Sequence, residues 1–255
     1  MKEEKKEEFS LMKFVPDDSA RKIFAKVFDR QTIESVHALA SKGYFDVLEF
    51  VISTGKEAHV FRARDRTGNF RAVKIYKIET TDFKRMSQYI EGDVRFGRVK
   101  KTRRSLVYAW TKKEFKNLLL LHKIGVRAPL PLAFQNNVLV MEFVGKKGEA
   151  SPRLKEKPLE DVEKLHSTLV DFLAKMLFKA ELIHSDISEY NILNKNGELV
   201  VIDCAQAVLN SHPEAKSFFE RDITNISNYL RKKGLKITKE SLMDEIKAKK
   251  ALFKK

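Results

Sequence analysis

The sequence predicts an α+β fold with two lobes, in which a strand-rich part precedes a helix-rich part. Residues 45–76 form short runs rich in β-branched and aromatic side chains, and turn residues separate these runs. Residues 158–177 instead place apolar side chains three and four positions apart, which is typical of one buried side of a helix. At 255 residues the chain is long enough to bury a large core in two lobes.

Composition limits the partners and the compartment. Lys and Arg total 50 against 35 acidic residues, so the net charge is +15 and the chain should attract polyanions, nucleic acid above all. The only cysteine, Cys204, excludes an internal disulfide framework and fits a reducing compartment. We find no apolar run of membrane-spanning length and no signal-peptide core in the first residues, so we expect a cytoplasmic protein.

Residues 1–43 are predicted to be a helical extension that packs on the following lobe. After a charged lead-in of about ten residues, Ser19 is a candidate N-cap for a first helix, whose apolar side chains recur at helical spacing: Ile23, Phe24, Val27 and Phe28. A second helix is predicted from Gln31 to about Ser41, and it ends before Gly43.

Residues 44–141 are predicted to form the strand-rich lobe, and a polar loop between its first two strands suits phosphate binding. Gly55 would let the backbone approach phosphate oxygens, while neighbouring hydroxyls and amides donate hydrogen bonds. The loop is not a Walker loop, because Phe50 stands where that motif requires glycine and Glu57 follows Lys56. The candidate residues are Ser53, Thr54, Gly55, Lys56, Glu57 and Ala58.

Lys74 lies on the third predicted strand between apolar neighbours, so its charge needs a partner. Residues 105–124 have helical apolar spacing, and Glu114 is the only acidic residue among them. We therefore predict an ion pair between Lys74 and Glu114. The alternatives are an exposed strand lysine and a surface glutamate that pairs with a neighbouring lysine.

A long basic segment, residues 77–104, separates these two elements. It is expected to contain a mobile loop over about residues 78–104 that binds RNA or presents Ser87 or Ser105 for phosphorylation, and a merely solvated insertion is the alternative. Its basic residues are Lys77, Lys84, Arg85, Arg95, Arg98, Lys100, Lys101, Arg103 and Arg104.

Residues 142–255 are predicted to form a hinge and the helix-rich lobe, with a helix that starts at Pro158. Within this lobe, Asp186 and Asn191 stand five positions apart, and Asp203 follows a short apolar strand. One carboxylate can accept a proton from a hydroxyl, while an amide and a second carboxylate hold Mg²⁺ against nucleotide phosphates. The alternative reads all three as turn and strand-end residues. Their combination favours a phosphoryl-transfer centre.

Several blocks together resemble the atypical RIO kinases, across nearly all of residues 10–234. They read STGKEA, AVKIYK, GRVKKTRRSLVYAWTKKEFKNL, HSDISEYN, VVIDCAQA and HPEAKSFFERD. The STGKEA loop makes the chain similar to the Rio-one subfamily in its short, archaeal-type form. The resemblance implies a trimmed protein-kinase fold, dependence on ATP and Mg²⁺ with Mn²⁺ as an alternative, serine or threonine phosphorylation including autophosphorylation, and a role in maturation of the small ribosomal subunit and its rRNA.

Carried over by resemblance, Asp186 matches the catalytic base, Asn191 and Asp203 match the metal ligands, and Lys74 matches the lysine that binds the α and β phosphates. The strand that ends near residue 144 resembles a kinase hinge, which implies adenine contacts from the Glu142 carbonyl and the Val144 amide. Asp203 is also a candidate transient phosphate acceptor.

The chain departs from ordinary kinases just after Asp203. Cys204 and Ala205 replace the usual Phe-Gly, and no Ala-Pro-Glu motif or long activation segment follows. This removes much of the usual platform for peptide substrates, so the identity of the physiological acceptor stays open. Three alternatives stay open: an ATPase that acts as a ribosome-assembly switch without a protein substrate, a small-molecule phosphotransferase, and a nucleic-acid-binding module with a silent nucleotide site.

Overall fold

The computed structural model describes residues 28–79, 83–97 and 99–253. They divide into two compact units. The sheet unit comprises the described parts of Met1–Lys84, Lys100–Phe115 and Leu130–Ala150, and the helical unit comprises those of Arg85–Val99, Lys116–Pro129 and Ser151–Lys255. The predicted α+β class is confirmed. In the part of the chain that the structure describes, no helix combines the length and the apolar character needed to cross a membrane.

A five-stranded antiparallel sheet forms most of the sheet unit, in the order β1-β2-β3-β5-β4. Lys74 lies on the central strand, opposite Val60 on one side and Leu139 on the other. The strands are β1 Val47–Thr54, β2 Ala58–Arg64, β3 Phe70–Tyr76, β4 Pro131–Gln135 and β5 Val138–Glu142.

Helix α1 (Arg30–Ser41) packs on this sheet and closes its core. It begins where Asp29 accepts a hydrogen bond from the Thr32 amide at 2.8 Å, as an N-cap residue does. Val36 and Leu39 are buried against the inner face of the sheet. This is the second predicted helix of the extension. The first, predicted from Ser19, lies outside the described residues.

A short hairpin follows β5 and is fixed by Arg62. Its strands are β6 (Gly145–Lys146) and β7 (Glu149–Ala150). The Arg62 guanidinium donates a hydrogen bond of 2.6 Å to the Gly148 carbonyl and lies 4.9 Å from the centroid of the Phe70 ring. Gly148 has φ +83°, a backbone conformation that other residues adopt only with strain, so the turn of this hairpin favours glycine.

The helical unit is built on helices with short strand pairs between them. Helix α3 (Arg103–Lys123) contributes residues to both units. The other helices are α2 Phe83–Glu91, α4 Val162–Lys179, α5 Ala215–Lys232 and α6 Lys239–Ala248, and α6 packs on α4 and α5. The strand pairs are β8 Leu182–Ile183 with β11 Val208–Leu209, and β9 Ile192–Lys195 with β10 Glu198–Val201.

Two sequence predictions are wrong in this unit. The basic segment is not a continuous loop, because helix α2 forms within it and buries Met86, Tyr89 and Ile90. The predicted helix at residue 158 begins at Val162 instead. Asp161 is its N-cap, since its side chain accepts a hydrogen bond from the Lys164 amide at 2.9 Å, and Pro158 therefore stays in the preceding loop.

Candidate active site

The sheet unit contains a buried ion pair. Lys74 Nζ lies 2.8 Å from Glu114 Oε1, and the two side chains are 9% and 1% exposed. The Tyr76 hydroxyl donates to the other carboxylate oxygen of Glu114. A buried charge is tolerated when it is paired and hydrogen-bonded. Both oxygens of the Glu114 carboxylate have such a partner. The predicted pair is confirmed and its surface alternatives are wrong.

The predicted phosphate loop joins β1 to β2. Ser53 and Thr54 end β1, Ala58 begins β2, and Gly55, Lys56 and Glu57 form the turn. The Gly55 amide donates to the Ala58 carbonyl at 2.9 Å, and Lys77 Nζ donates to the Gly55 carbonyl at 2.7 Å. A Cβ at Gly55 would stand 3.5 Å from the Ala58 carbonyl oxygen, an ordinary contact, and the residue has no positive φ. Packing within the sheet unit therefore does not require glycine there, and the phosphate contact of this loop stays a prediction.

The predicted hinge lies where β5 ends. The Glu142 amide donates to the Leu130 carbonyl at 2.8 Å, and its carboxylate accepts from the Leu130 amide at 3.2 Å. Phe143 packs on Phe70 with ring centroids 5.5 Å apart, and Val144 is buried. These contacts hold the strand end in place. The adenine contacts expected from the Glu142 carbonyl and the Val144 amide stay a prediction.

Asp222 holds the loop that carries Asp186 in the helical unit. Its Oδ2 accepts from the Ser185 amide at 2.8 Å and its Oδ1 from the Ile187 amide at 3.0 Å. These two amides flank Asp186, so one carboxylate fixes the backbone on both sides of it. Burial raises the pKa of the Asp222 carboxyl to about 7, against the opposing effect of the two amides and of Arg221.

Asp222 was missed as a site residue, although the sequence contains a signal. It is spaced four residues from Phe218 and from Ile226, and both of these are buried. A carboxylate on the buried side of a helix needs hydrogen-bond donors from elsewhere in the fold. The spacing could have singled out Asp222, but it could not have shown that Ser185 and Ile187 are its donors.

Asp186, Asn191 and Asp203 are brought together in the helical unit. Asn191 Nδ2 donates to the Asp186 carbonyl at 2.8 Å and to Asp186 Oδ2 at 3.2 Å. The Ile202 amide donates to the Asn191 carbonyl at 2.9 Å, which places Asp203 one residue from this contact. Asp203 has φ +60° and ψ +55°, the left-handed region that aspartate enters more readily than most residues. Such conformations are enriched at functional sites.

This donor set fits Mg²⁺. Asn191 uses its side-chain nitrogen Nδ2 in both contacts with Asp186, so its side-chain oxygen Oδ1 is the atom suited to a cation. A carboxylate and an amide oxygen are hard ligands, and Mg²⁺ completes its shell with water and substrate phosphate oxygens. Among the described residues, no group of three or more His, Cys, Asp or Glu side chains is placed to hold a metal ion.

His184 supports the same strand end from inside the core. Its Nε2 donates to the Ile202 carbonyl at 3.2 Å, so the proton resides on Nε2 in the neutral ring. Burial lowers the pKa of His184, against the opposing attraction of Asp186 and Asp203. A neutral His184 is therefore a fixed hydrogen-bond donor at the residue before Asp203. His166 on helix α4 places Nε2 2.9 Å from Glu245 Oε2 on α6.

The sheet with its buried lysine–glutamate pair and the loop that carries Asp186 and Asn191 define the class of this protein: it is a kinase-like phosphotransferase. The chain belongs to the RIO family, whose RIO domain matches residues 59–243. It is 41% identical over 223 residues to the RIO-type serine/threonine-protein kinase Rio1 of Haloferax volcanii, which is 88% of this chain and 77% of that protein. Rio1 of Methanocaldococcus jannaschii is 40% identical over 225 residues, with the same coverage.

Solved structures show the same fold. The complex of Rio2 kinase with ADP, Mg²⁺ and phosphoaspartate from Chaetomium thermophilum superposes with a TM-score of 0.65 at 22% identity. The match covers 85% of this chain and 66% of that one. Together these comparisons confirm the RIO resemblance, the kinase-like fold and the assignment of the chain as a kinase.

Proposed function

We propose that this chain is an ATP- and Mg²⁺-dependent serine/threonine protein kinase that also phosphorylates itself, with Mn²⁺ as an alternative ion. The observation that carries the proposal is the hydrogen bonding of Asn191 to Asp186, beside the strand end that bears Asp203. This arrangement offers a proton acceptor next to oxygen ligands for a cation, as phosphoryl transfer requires. The names of the Rio1 relatives support the same activity.

Each residue has a role in this proposal. Asn191 Oδ1 and the Asp203 carboxylate would hold Mg²⁺, which supplies neutralisation of phosphate charge when bound. Lys74 binds the α and β phosphates, and its pairing with Glu114 fixes the ammonium group in place before the nucleotide binds. Asp186 orients the acceptor hydroxyl and takes its proton as the oxygen attacks the γ-phosphorus and ADP leaves. Residues 53–58 cover the phosphates, and the main chain at Glu142 and Val144 binds adenine.

A second candidate activity is ATP hydrolysis through Asp203. The phosphoaspartate in the related Rio2 structure favours it. In this reaction a carboxylate oxygen of Asp203 attacks the γ-phosphorus, the bond to the β-phosphate oxygen breaks, and ADP leaves. Water then hydrolyses the acyl phosphate to release inorganic phosphate and restore the carboxylate. The binding state of the protein would be the output of such a cycle, as in an assembly switch.

The proposed partner is the precursor of the small ribosomal subunit, in the cytoplasm. The net charge of +15 supports a polyanionic partner such as its rRNA. Ser87 and Ser105 are the proposed sites of autophosphorylation. The Ser87 hydroxyl donates to Glu91 Oε1 at 2.9 Å, and the Ser105 hydroxyl accepts from Thr102 at 2.8 Å. The Ser87 hydroxyl therefore has to leave a local hydrogen bond before its proton can be transferred, whereas the Ser105 hydroxyl keeps its proton in this contact.

Replacing Asp186 tests the kinase proposal. Asp186→Ala should bind ATP like the wild type but transfer phosphate about 10²–10⁴-fold more slowly, because it lacks the proton acceptor while the nucleotide contacts remain. The measurements are ATP affinity and radiolabel transfer to the chain itself. Asp171→Ala is the matched control, since Asp171 pairs with Lys175 on α4 and should leave transfer unchanged. Near wild-type transfer by the Asp186 variant would refute the assignment.

Quenching the same reaction with borohydride separates the two candidate activities. An acyl phosphate is reduced by borohydride at the aspartate that carries it, whereas a phosphoserine is not. Modified Asp203 together with phosphate release that rises on addition of pre-ribosomal particles would support the hydrolase. Label on serine alone would support the kinase and reject the phosphoaspartate.

A further inference from the structure

Asn117 on helix α3 is a buried side chain outside the set described above, and every polar atom of its amide is used. Its Nδ2 donates to the Cys204 carbonyl at 2.7 Å and to the Ala207 carbonyl at 2.9 Å. Its Oδ1 accepts from Arg95 Nη1 at 2.8 Å. Because a guanidinium can only donate, the amide orientation is fixed, and both hydrogens of Nδ2 face the two carbonyls.

Arg95 is itself held by a buried carboxylate. It donates to Asp93 through Nε at 2.8 Å and through Nη2 at 2.6 Å, a bidentate pair with fixed geometry. The Asp93 side chain is fully buried and that of Arg95 is 15% exposed. The chain of contacts from Asp93 through Arg95 to Asn117 is therefore a rigid internal support. Arg95 is not a surface cation of the basic segment.

The two carbonyls that Asn117 binds bracket the turn after Asp203. This turn is the short 3₁₀ helix Cys204–Gln206, closed by a hydrogen bond of 3.2 Å from the Ala207 amide to the Cys204 carbonyl. Gln206, at its other end, places Nε2 3.4 Å from Asp186 Oδ2. The amide of Asn117 thus supplies two further hydrogen bonds to a turn that connects two residues of the proposed site.

We propose that Asn117, supported by Arg95 and Asp93, is a positioning residue for Asp203. It fixes the turn at residues 204–207, and this turn fixes the left-handed backbone from which the Asp203 carboxylate meets the cation. The inference rests on the proposed role of Asp203 as a metal ligand. Partners that orient a metal ligand commonly change metal affinity 10–100-fold when they are removed, on the order of two decades at most.

The substitution Asn117→Asp tests the inference, because it keeps the size of the side chain and the acceptor for Arg95 but replaces the double donor with an oxygen. Asn194→Asp is the matched control. Asn194 is also buried and donates from Nδ2 to the Lys157 carbonyl at 3.0 Å, away from the turn. Two quantities are measured: Mn²⁺ binding by electron paramagnetic resonance with ADP present, and hydrogen exchange of the residue 204–207 amides in the metal-free protein.

We expect Asn117→Asp to weaken Mn²⁺ binding by about tenfold or more and to speed exchange at residues 204–207. Asn194→Asp should change neither, although both variants lose thermal stability. If Asn117→Asp does not fold, Asn117→Ala provides the same test, because it leaves no buried charge.

A reference variant separates the two claims. Asp203→Asn should weaken Mn²⁺ binding whatever Asn117 does, so unchanged binding in that variant would overturn the metal role in the proposed function. If Asp203→Asn weakens binding but the Asn117 variants do not, the positioning role is overturned and the proposed function stands. Unchanged exchange at residues 204–207 in the Asn117 variants would also overturn it.

Discussion

Asp222 shows how one buried carboxylate can hold the loop that carries Asp186 and also weaken the fold in one pH range. It accepts two amides around Asp186, and its pKa is raised from 3.8 to about 7, chiefly by burial. Between these two values the folded chain binds more protons than the unfolded chain does. The free energy of unfolding therefore falls as the pH rises through this window, and levels off above it.

The substitution Asp222→Asn tests this dependence. Between about pH 5 and about pH 8, the free energy of unfolding of the wild type should fall by on the order of 3 kcal/mol. The variant should not show this fall, because its amide cannot ionise. Urea unfolding at several pH values measures the difference. Asp171→Asn serves as the control, since it makes the same substitution at a partly exposed carboxylate on α4. Parallel pH profiles for wild type and Asp222→Asn would show that burial does not raise this pKa.

The sequence allows some residue contacts to be predicted and not others. The pair of Lys74 and Glu114 could be predicted, because a charged lysine on an apolar strand requires an acidic partner and the predicted helix has only one acidic residue. Asn117 could not, because its partners are backbone carbonyls at Cys204 and Ala207, far along the chain. Backbone groups look alike in every sequence, so only the folded chain shows which of them a buried amide meets.

Among the helices and strands, α2 was not predicted, because the basic residues around it drew attention away from its apolar side chains. The basic residues around it suggested an exposed loop, yet Met86, Tyr89 and Ile90 recur at helical spacing and are buried. His212 then packs against the end of the helix, where a Cβ at Gly92 would lie 2.3 Å from its Nε2. Strands β1 to β3 and helices α1, α3 and α4 could be predicted, because their apolar side chains recur at a regular spacing over most of the element. The two-residue strands β6, β7, β8 and β11 are too short to carry such a pattern.

The substitution Met86→Ala tests whether α2 is packed. Loss of a fully buried methionine should lower the free energy of unfolding by about 2–5 kcal/mol, since the site loses both transfer energy and packing. Val94→Ala is the control, because Val94 is 74% exposed and should change stability by less than about 0.5 kcal/mol. Chemical denaturation measures both. Equal effects, or rapid hydrogen exchange throughout residues 86–90 in the wild type, would mean that the helix is not a stable part of the fold.

The chain as a whole has a net charge of +15, and its basic residues are of two kinds. Some hold the fold together through ion pairs, and others are exposed. Arg95 is bound to Asp93 and Asn117, and Arg104 donates to Asp29 at 2.9 Å. By contrast, Lys100, Lys101 and Arg103 are exposed. We therefore assign the proposed polyanion contact to these three residues rather than to the basic segment as a whole.

Joint replacement of Lys100, Lys101 and Arg103 by alanine should make binding to a ribosomal RNA fragment less dependent on salt. Each lost phosphate contact removes about 0.7–0.9 units from the slope of log affinity against log salt, so the slope should fall by roughly two to three units. The control replaces Lys232, Lys236 and Lys239, which changes the net charge equally. Fluorescence anisotropy over a salt series measures the slopes. Equal slopes for the two variants would mean that total charge, not this surface, determines binding.

Cys204 gives the turn after Asp203 an experimental use of its own. It is the only sulfhydryl in the chain, and it is fully buried in the turn that Asn117 holds. A thiol reagent can reach Cys204 only when that turn opens, so the rate of labelling measures the frequency of opening without an engineered probe. Because Cys204 lies one residue from Asp203, its labelling rate with and without nucleotide would report how nucleotide changes the opening of this turn.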